Sequence, residues 1–225
     1  MPKIIYCTFF TESHTQLYTE WFKPSFDKYH PNSELVVRRV KQFCKSGRYL
    51  SDGWKNTMYG KIKLISDCLN KCSDGDFICY MDCDIQFFNN IFAGLSLSEI
   101  IPGTIACQMD NMSYACAGFI FMPVCAATTE FINKWYHTLH KDDAKCDQKV
   151  FNQMLLAPNC NIKLIPLGPE FYSVWRDTNK QLWNNHALNP PENIIMHHAT
   201  YIMGVDDKIR LLASVRDLVL ARLSV

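Results

Sequence analysis

Charge of one sign is what this chain most lacks: 23 Lys and Arg stand against 22 Asp and Glu across 225 residues. No global field draws in nucleic acid or an anionic membrane, so a charged ligand must be held by local groups. Long apolar runs are missing as well. Nothing approaches the roughly 20 consecutive apolar residues of a membrane span. The opening MPKIIYCTFF is too short an apolar run for a secretory leader, with Glu12 and His14 following at once. A soluble, unsecreted, cytoplasmic protein is expected. A cysteine framework is absent too. The 11 cysteines are odd in number, scattered, and several lie in strand-like apolar runs, as reduced buried thiols would. Cys68, Cys72, Cys79 and Cys83 have a zinc-like spacing. On a strand, however, Cys79 and Cys83 lie about 13 Å apart, too far to share a tetrahedral ion.

What is present is an alternation of elements. Residues 3–10, KIIYCTFF, read as a strand from their β-branched and aromatic content; 13–29 have helical spacing through Leu17, Trp21 and Phe22 and stop at His30-Pro31; ELVVRRV is a second strand. After the polar loop KSGRYLSDG, residues Trp54, Met58, Ile62, Ile65 and Leu69 mark an amphipathic helix that ends in the turn KCSDGD. FICYM, GTIACQM and ACAGFIFMP follow as strands, and 124–140 and 147–156 as helices. No repeat, low-complexity tract or linker interrupts the chain. A single α/β domain is expected, with a central, mostly parallel sheet and helices on both faces.

Within that frame the segment GDFICYMDCDIQFF raises a chemical question. FICYM is apolar on both alternating faces, as a central parallel strand must be, and Asp82 and Asp84 stand where it ends. Residues i and i+2 point the same way on a strand, so the two carboxylates share a side with Cys83 turned away. At roughly 7 Å and an effective dielectric near 20 they repel by about 2.4 kcal/mol, which invites a cation. Ligands gather beyond the carboxyl ends of such strands, and oxygen donors of this kind suit Mg²⁺ or Mn²⁺. A further ligand is offered by ENIIMHHATYIMGVDDK, a short apolar strand followed by a histidine pair, Gly204 and Lys208. Neighbours on an extended chain diverge, so one of His197 and His198 faces the metal and the other packs. Imidazole beside carboxylates favours Mn²⁺ over Ca²⁺.

Taken in order, IIYCTFF, FICYMDCD, ACAGFIFM, DQKVFN and HHATYIMGVDDK resemble the GT-A-fold nucleotide-sugar glycosyltransferases, in particular the small enzymes with an Asp-x-Asp motif and a C-terminal His, Gly and Lys element. The resemblance spans nearly the whole chain. It implies a nucleotide-binding half over 1–107, ending past the Asp-x-Asp, and an acceptor half over 108–225 that carries the C-terminal metal and diphosphate element. It implies further that Asp84 and His198 ligate Mn²⁺ or Mg²⁺, with Asp82 reaching the metal or the donor. Gly204 and Lys208 would hold the diphosphate, and Thr8, Phe9 and Phe10 would help form the base pocket. Lys61 or Lys63 would touch the donor if not on a solvated helix face. Asp147, which also opens a helix, would stand nearest the reacting centre and acceptor hydroxyl; Asp110, read as a solvated loop residue, is the reserve. Cys116 stands where relatives often carry Asn or Asp. The implied activity is transfer of a sugar from a nucleotide-diphosphate sugar, in the first place a UDP-sugar, to a glycan or other hydroxyl acceptor. A viral or bacterial enzyme, or an excised catalytic domain, fits the missing membrane anchor. Two alternatives share the sheet: a non-catalytic nucleotide-sugar-binding relative, and a sugar-1-phosphate nucleotidyltransferase, whose Gly-rich loop is not found in CTFFTESH. Trp175 and Trp183 are candidate sugar platforms or core anchors. The apolar stripe of IRLLASVRDLVLARLSV is expected to dock on its own domain.

Overall fold

The computed structural model describes residues 2–45, 49–141, 146–179 and 181–223; residues 46–48 of the expected polar loop and the last two residues of the expected terminal helix lie outside them. The elements run β1 (Ile4–Phe10), α1 (Lys23–Tyr29), β2 (Glu34–Arg39), α2 (Trp54–Leu69), β3 (Phe77–Met81), β4 (Ile85–Phe87), β5 (Thr104–Asn111), β6 (Tyr114–Pro123), α3 (Ala126–Leu139), α4 (Asp147–Leu155), β7 (Lys163–Pro166), β8 (Phe171–Tyr172), β9 (Met196–His198) and α5 (Val205–Leu223).

Six strands form the main sheet in the order β2-β1-β3-β6-β5-β7. Every pairing that excludes β6 is parallel, and β6 runs antiparallel to both neighbours. The sheet is therefore mostly parallel, as the alternation of elements implied. GTIACQM and ACAGFIFMP, read as separate strands, are joined as a β5/β6 hairpin. Its turn is closed by Asn111, whose Oδ1 accepts from the Ser113 N–H at 2.9 Å, the local bond through which Asn favours turns. A second sheet, β4-β9-β8, was not expected, because strands of two or three residues carry no readable alternation.

Each face of the main sheet buries its own layer. On one side Ile5, Ile78, Tyr80, Ile105 and Ile120 pack against Met58, Ile62 and Ile65 of α2, Phe131 and Trp135 of α3, and Phe151 of α4. On the other, Tyr6, Phe77, Cys79, Phe119 and Phe121 meet Phe22, Phe26 and the small sheet through Phe87, Ile195 and Met196. The α5 stripe docks on its own domain, with Leu211, Leu212 and Val215 fully buried beside Leu17, Trp21 and Tyr172.

The helix expected over 13–29 is irregular. It opens as a 3₁₀ turn, Glu12–His14, passes through a π-helical stretch, Leu17–Phe22, in which the Lys23 N–H reaches back to the Tyr18 carbonyl, and continues as α1 from Lys23. Pro24 is the cause: it has no N–H for the Glu20 carbonyl and its ring crowds that turn.

At the end of α1, His30 is 2% exposed, stacks on Phe26 at 4.9 Å, and accepts from the Ile91 N–H through Nε2 at 3.2 Å. Burial lowers its pKa to about 4 from the ordinary value near 6.5. The unfolded chain therefore binds the extra proton between those values, so the stability His30 supports is complete above pH 6.5 and is lost as pH falls toward 4. The loss should reach about 3 kcal/mol, read from urea midpoints between pH 7 and 4. His30→Gln, which keeps an acceptor for Ile91, should remove that share of the slope and leave the share of the likewise buried His197; an unchanged slope would remove His30 as a source.

Candidate active site

The two aspartates lie at the junction of the sheets. The Asp82 N–H extends the β3/β6 ladder by donating to the Gly118 carbonyl at 2.7 Å. The chain then crosses into β4, where Ile85 pairs with His198 of β9 and the Ala199 N–H donates to the Asp84 carbonyl at 3.0 Å. Main-chain bonds thus pin Asp82 to one sheet and Asp84 and His198 to the other. One ligand atom from each of the three lies within 4.8 Å of the others. His198 Nε2 is 3.2 Å from Asp84 Oδ1 and 3.8 Å from Asp82 Oδ2.

Gly118 makes this convergence sterically possible. A Cβ there would stand 2.2 Å from His198 Cε1 and 2.6 Å from Asp82 Oδ2, so the Ala-Gly-Phe pattern of β6 has a direct physical cause. His197 faces the opposite way, as neighbours on a strand must. Its ring lies 5.4 Å from Tyr172, it is fully buried with neither nitrogen hydrogen-bonded, and burial together with the adjacent His198 holds its pKa to about 3.

Two lysines balance the carboxylates. Lys208, on the first turn of α5, pairs with Asp84 and donates to the Ala199 carbonyl at 3.2 Å. Burial opposes charge on Asp84, yet Lys208 and His198 outweigh it and hold the carboxyl well below its usual range. Lys61 lies 3.0 Å from Asp147 Oδ2 and 3.7 Å from Asp82 Oδ1, with the ring centroid of Tyr80 at 5.0 Å. Burial lowers its pKa, but the Asp147 and Asp82 charges more than reverse that. The expectation of a solvated helix face is corrected for Lys61, which is 3% exposed. Its place in the stripe Met58, Lys61, Ile62, Ile65 was the available signal, since three-and-four spacing turns it to the sheet. Lys63 lies off that stripe, half exposed, and pairs with Asp67 at 2.7 Å.

These groups line a cleft of about 340 Å³, within the usual range for small-ligand sites. Phe9, Phe10, Thr11 and His14 line it from β1 and the turn beyond, while Gly204 and Lys208 line it from the start of α5. Thr8 does not join them; it is fully buried, its side chain turned away from its neighbour Phe9. Phe10 stacks on Tyr18 at 4.5 Å. Gly204 has φ +95, a conformation that favours glycine. Asp147 is the first residue of α4 and buried. Asn152 fixes that helix against β6 by bonding both the N–H and the carbonyl of Ala115 at 2.8 Å, which is what the Phe-Asn pair after Asp-Gln does.

Asp110 is corrected from a solvated loop to the half-buried end of β5. It accepts from Gln148 Nε2 at 2.6 Å, and its Oδ1 is buried without a hydrogen-bond partner. Burial raises its pKa, partly offset by Gln148. Thr11 and His14 were not singled out in the sequence, because uncharged or weakly basic side chains in loops carry no pattern, and Gln148 stood in the DQKVFN motif without a role of its own. Trp175 is a core residue with Arg176 over its ring at 4.9 Å, and Trp183 packs in the α5 cluster. All 11 cysteines are free thiols.

The fold has known counterparts. One is a glycosyltransferase involved in the glycosylation of the major capsid of PBCV-1, similar over 95% of this chain and 100% of that one at 12% identity and a TM-score of 0.64. Another is the glycosyltransferase GlyE of Streptococcus pneumoniae TIGR4, similar over 88% of this chain and 54% of that one at 13% identity and a TM-score of 0.55. No curated protein matches the chain by sequence. No helix among the described residues is long and apolar enough to cross a membrane. The family model for nucleotide-diphospho-sugar transferases matches residues 25–212, a stretch that takes in the Asp-x-Asp, the β6 glycine, α4 and the histidine of β9. The chain belongs to the nucleotide-diphospho-sugar transferase family and is a glycosyltransferase of GT-A type.

Proposed function

We propose that the chain moves a sugar from a UDP-sugar to a glycan or other hydroxyl acceptor, in a reaction that depends on Mn²⁺ or Mg²⁺ held by Asp82, Asp84 and His198. The observation that carries this is the convergence of those three side chains within 4.8 Å at a cleft. Two carboxylates and one imidazole form a hard, mixed oxygen and nitrogen donor set that suits these ions, and the space Gly118 leaves supports the fit. A divalent ion there would neutralise charge growing on the diphosphate as the sugar leaves it.

The chain's own groups do the rest. Phe9, Phe10, Thr11 and His14 offer two aromatic faces and polar atoms for the base and ribose. Lys208, now the counter-ion of Asp84, would be freed by a cation at that carboxylate and turn to the diphosphate, beside the positive end of α5 at Gly204. Lys61 and Asp147 face the space for the donor sugar, as a charged pair able to give and accept hydrogen bonds with its hydroxyls. The proton of the acceptor hydroxyl is assigned to Asp110 ahead of Asp147. Asp147 Oδ2 is committed to Lys61 at 3.0 Å, whereas Asp110 lines the cleft without a lysine partner and burial raises its pKa above the ordinary carboxylate value, the direction that suits a general base.

A thermal-shift panel of UDP, GDP and their sugars with and without Mn²⁺ tests the reading. At 100 times Kd, binding adds about 2.7 kcal/mol, or roughly 5 to 11 °C for a domain of this size. Asp84→Ala and His198→Ala should each remove the metal-dependent part while the fold persists. Absence of a metal-dependent shift for every nucleotide tried would sink the proposal, and turnover to a glycosylated product would separate transfer from binding alone.

A further inference from the structure

Gln108 lies on β5, 2% exposed, outside the residues that line the cleft. Its Nε2 donates to two backbone carbonyls of β8, Phe171 and Tyr172, both at 3.0 Å. Carbonyl oxygens only accept, so the amide has one workable orientation: flipped, it would press Oε1 against two buried oxygens and leave all three unpaired. Oε1 therefore points to its remaining neighbour, His198 Nδ1, at 2.9 Å. An amide oxygen also only accepts, so the proton of that bond must belong to Nδ1.

We infer that Gln108 is a positioning residue: clamped by two carbonyls of the small sheet, it holds a proton on His198 Nδ1 and so commits Nε2 to the metal. Nε2 is the nitrogen 3.2 Å from Asp84. This rests on the metal reading above and adds to it the reason one nitrogen, in one ring orientation, is the ligand. Without an acceptor at Nδ1, the imidazole gains more by placing its proton on Nε2, where Asp84 and Asp82 accept it, and that proton blocks the lone pair a cation needs. A hydrogen bond to the far nitrogen is how protein surroundings orient a ligating histidine. Cys116 Sγ, 3.7 Å from Nδ1, is a weak alternative acceptor.

The test uses Mn²⁺ alone as probe, with free ion counted by electron paramagnetic resonance in titrations of the whole chain. Gln108→Leu keeps the bulk and removes the acceptor, and should weaken Mn²⁺ binding about 10- to 100-fold. Gln108→Glu keeps an acceptor for Nδ1 but loses both donors to β8; it should lower Tm yet bind Mn²⁺ close to wild type. A purely structural Gln108 gives a different pattern, with Glu as weak as Leu. Long-range ¹H–¹⁵N spectra of the metal-free wild type need no variant and should find the proton on His198 Nδ1. An unprotonated Nδ1, full Mn²⁺ affinity in the Leu variant, or equal losses in both variants would each overturn the assignment while leaving the metal reading intact. A wild type that binds no Mn²⁺ overturns the metal reading, and with it the role of Gln108 toward the ion.

Discussion

Gly118→Ala is expected to lower metal-dependent sugar transfer by at least about 100-fold, the scale on which a displacement near 1 Å acts at a reacting centre. The added methyl would lie 2.2 Å from His198 Cε1 and 2.6 Å from Asp82 Oδ2. Neither neighbour yields freely. His198 is buried on β9 with its backbone paired to β4, and Asp82 is tied through its own N–H to the Gly118 carbonyl. Gly118 does not have a positive φ, so backbone strain is not the mechanism and the effect falls on the two side chains. Overpacking of this kind costs about 1–3 kcal/mol, so the variant should still fold and its metal-free melt should remain cooperative. Initial rates with and without Mn²⁺, set beside the thermal shift for UDP with Mn²⁺, check the outcome. A variant that keeps both the rate and the metal-dependent shift would place the ion away from Asp82 and His198.

That glycine also marks the boundary of what the sequence could convey. The order of β1, α2, β3, β6 and α4 was legible because each has either a full period of apolar residues or a run long enough to be buried on both faces. The Asp-x-Asp at the end of FICYM and the histidine before Gly204 were legible as chemistry. What joins them was not. The small sheet rests on β4, β8 and β9, strands of two or three residues, and it is their pairing that carries Asp84 to His198. The Ala-Gly-Phe pattern was visible, but its reason is a collision between side chains from three separate segments, which no spacing rule reports. Lys61 and Asp110 were misjudged for a related reason. A charged residue is ordinarily solvated, and only the partner from a distant element, Asp147 for the one and Gln148 for the other, makes its burial tolerable.

Lys61→Met is expected to be the most destabilising single change near the site. It removes the ammonium from between Asp147 and Asp82 and leaves Asp147, 4% exposed, without its counter-charge. Removing one partner of a buried ion pair costs about 3–5 kcal/mol, since the remaining charge keeps its desolvation penalty and loses its compensation. For a domain of this size that is roughly 6 to 20 °C in Tm. Methionine fills most of the lysine's length, so packing against Tyr80 and Trp135 is largely retained and the loss is electrostatic. The second substitution is what distinguishes the cause. If the buried carboxylate is responsible, Asp147→Asn in the Lys61→Met background should recover more than half of the lost stability, because an amide needs no counter-charge; the coupling energy from the double-mutant cycle should then be at least about 1 kcal/mol. Additive losses would instead mean that Lys61 supports the fold through its aliphatic stem on Tyr80 and Trp135. Transfer activity should stay low even in the stabilised double variant, since both groups proposed to face the donor sugar are then gone. Recovered stability with absent turnover would separate what Lys61 and Asp147 do for the fold from what they do for the sugar.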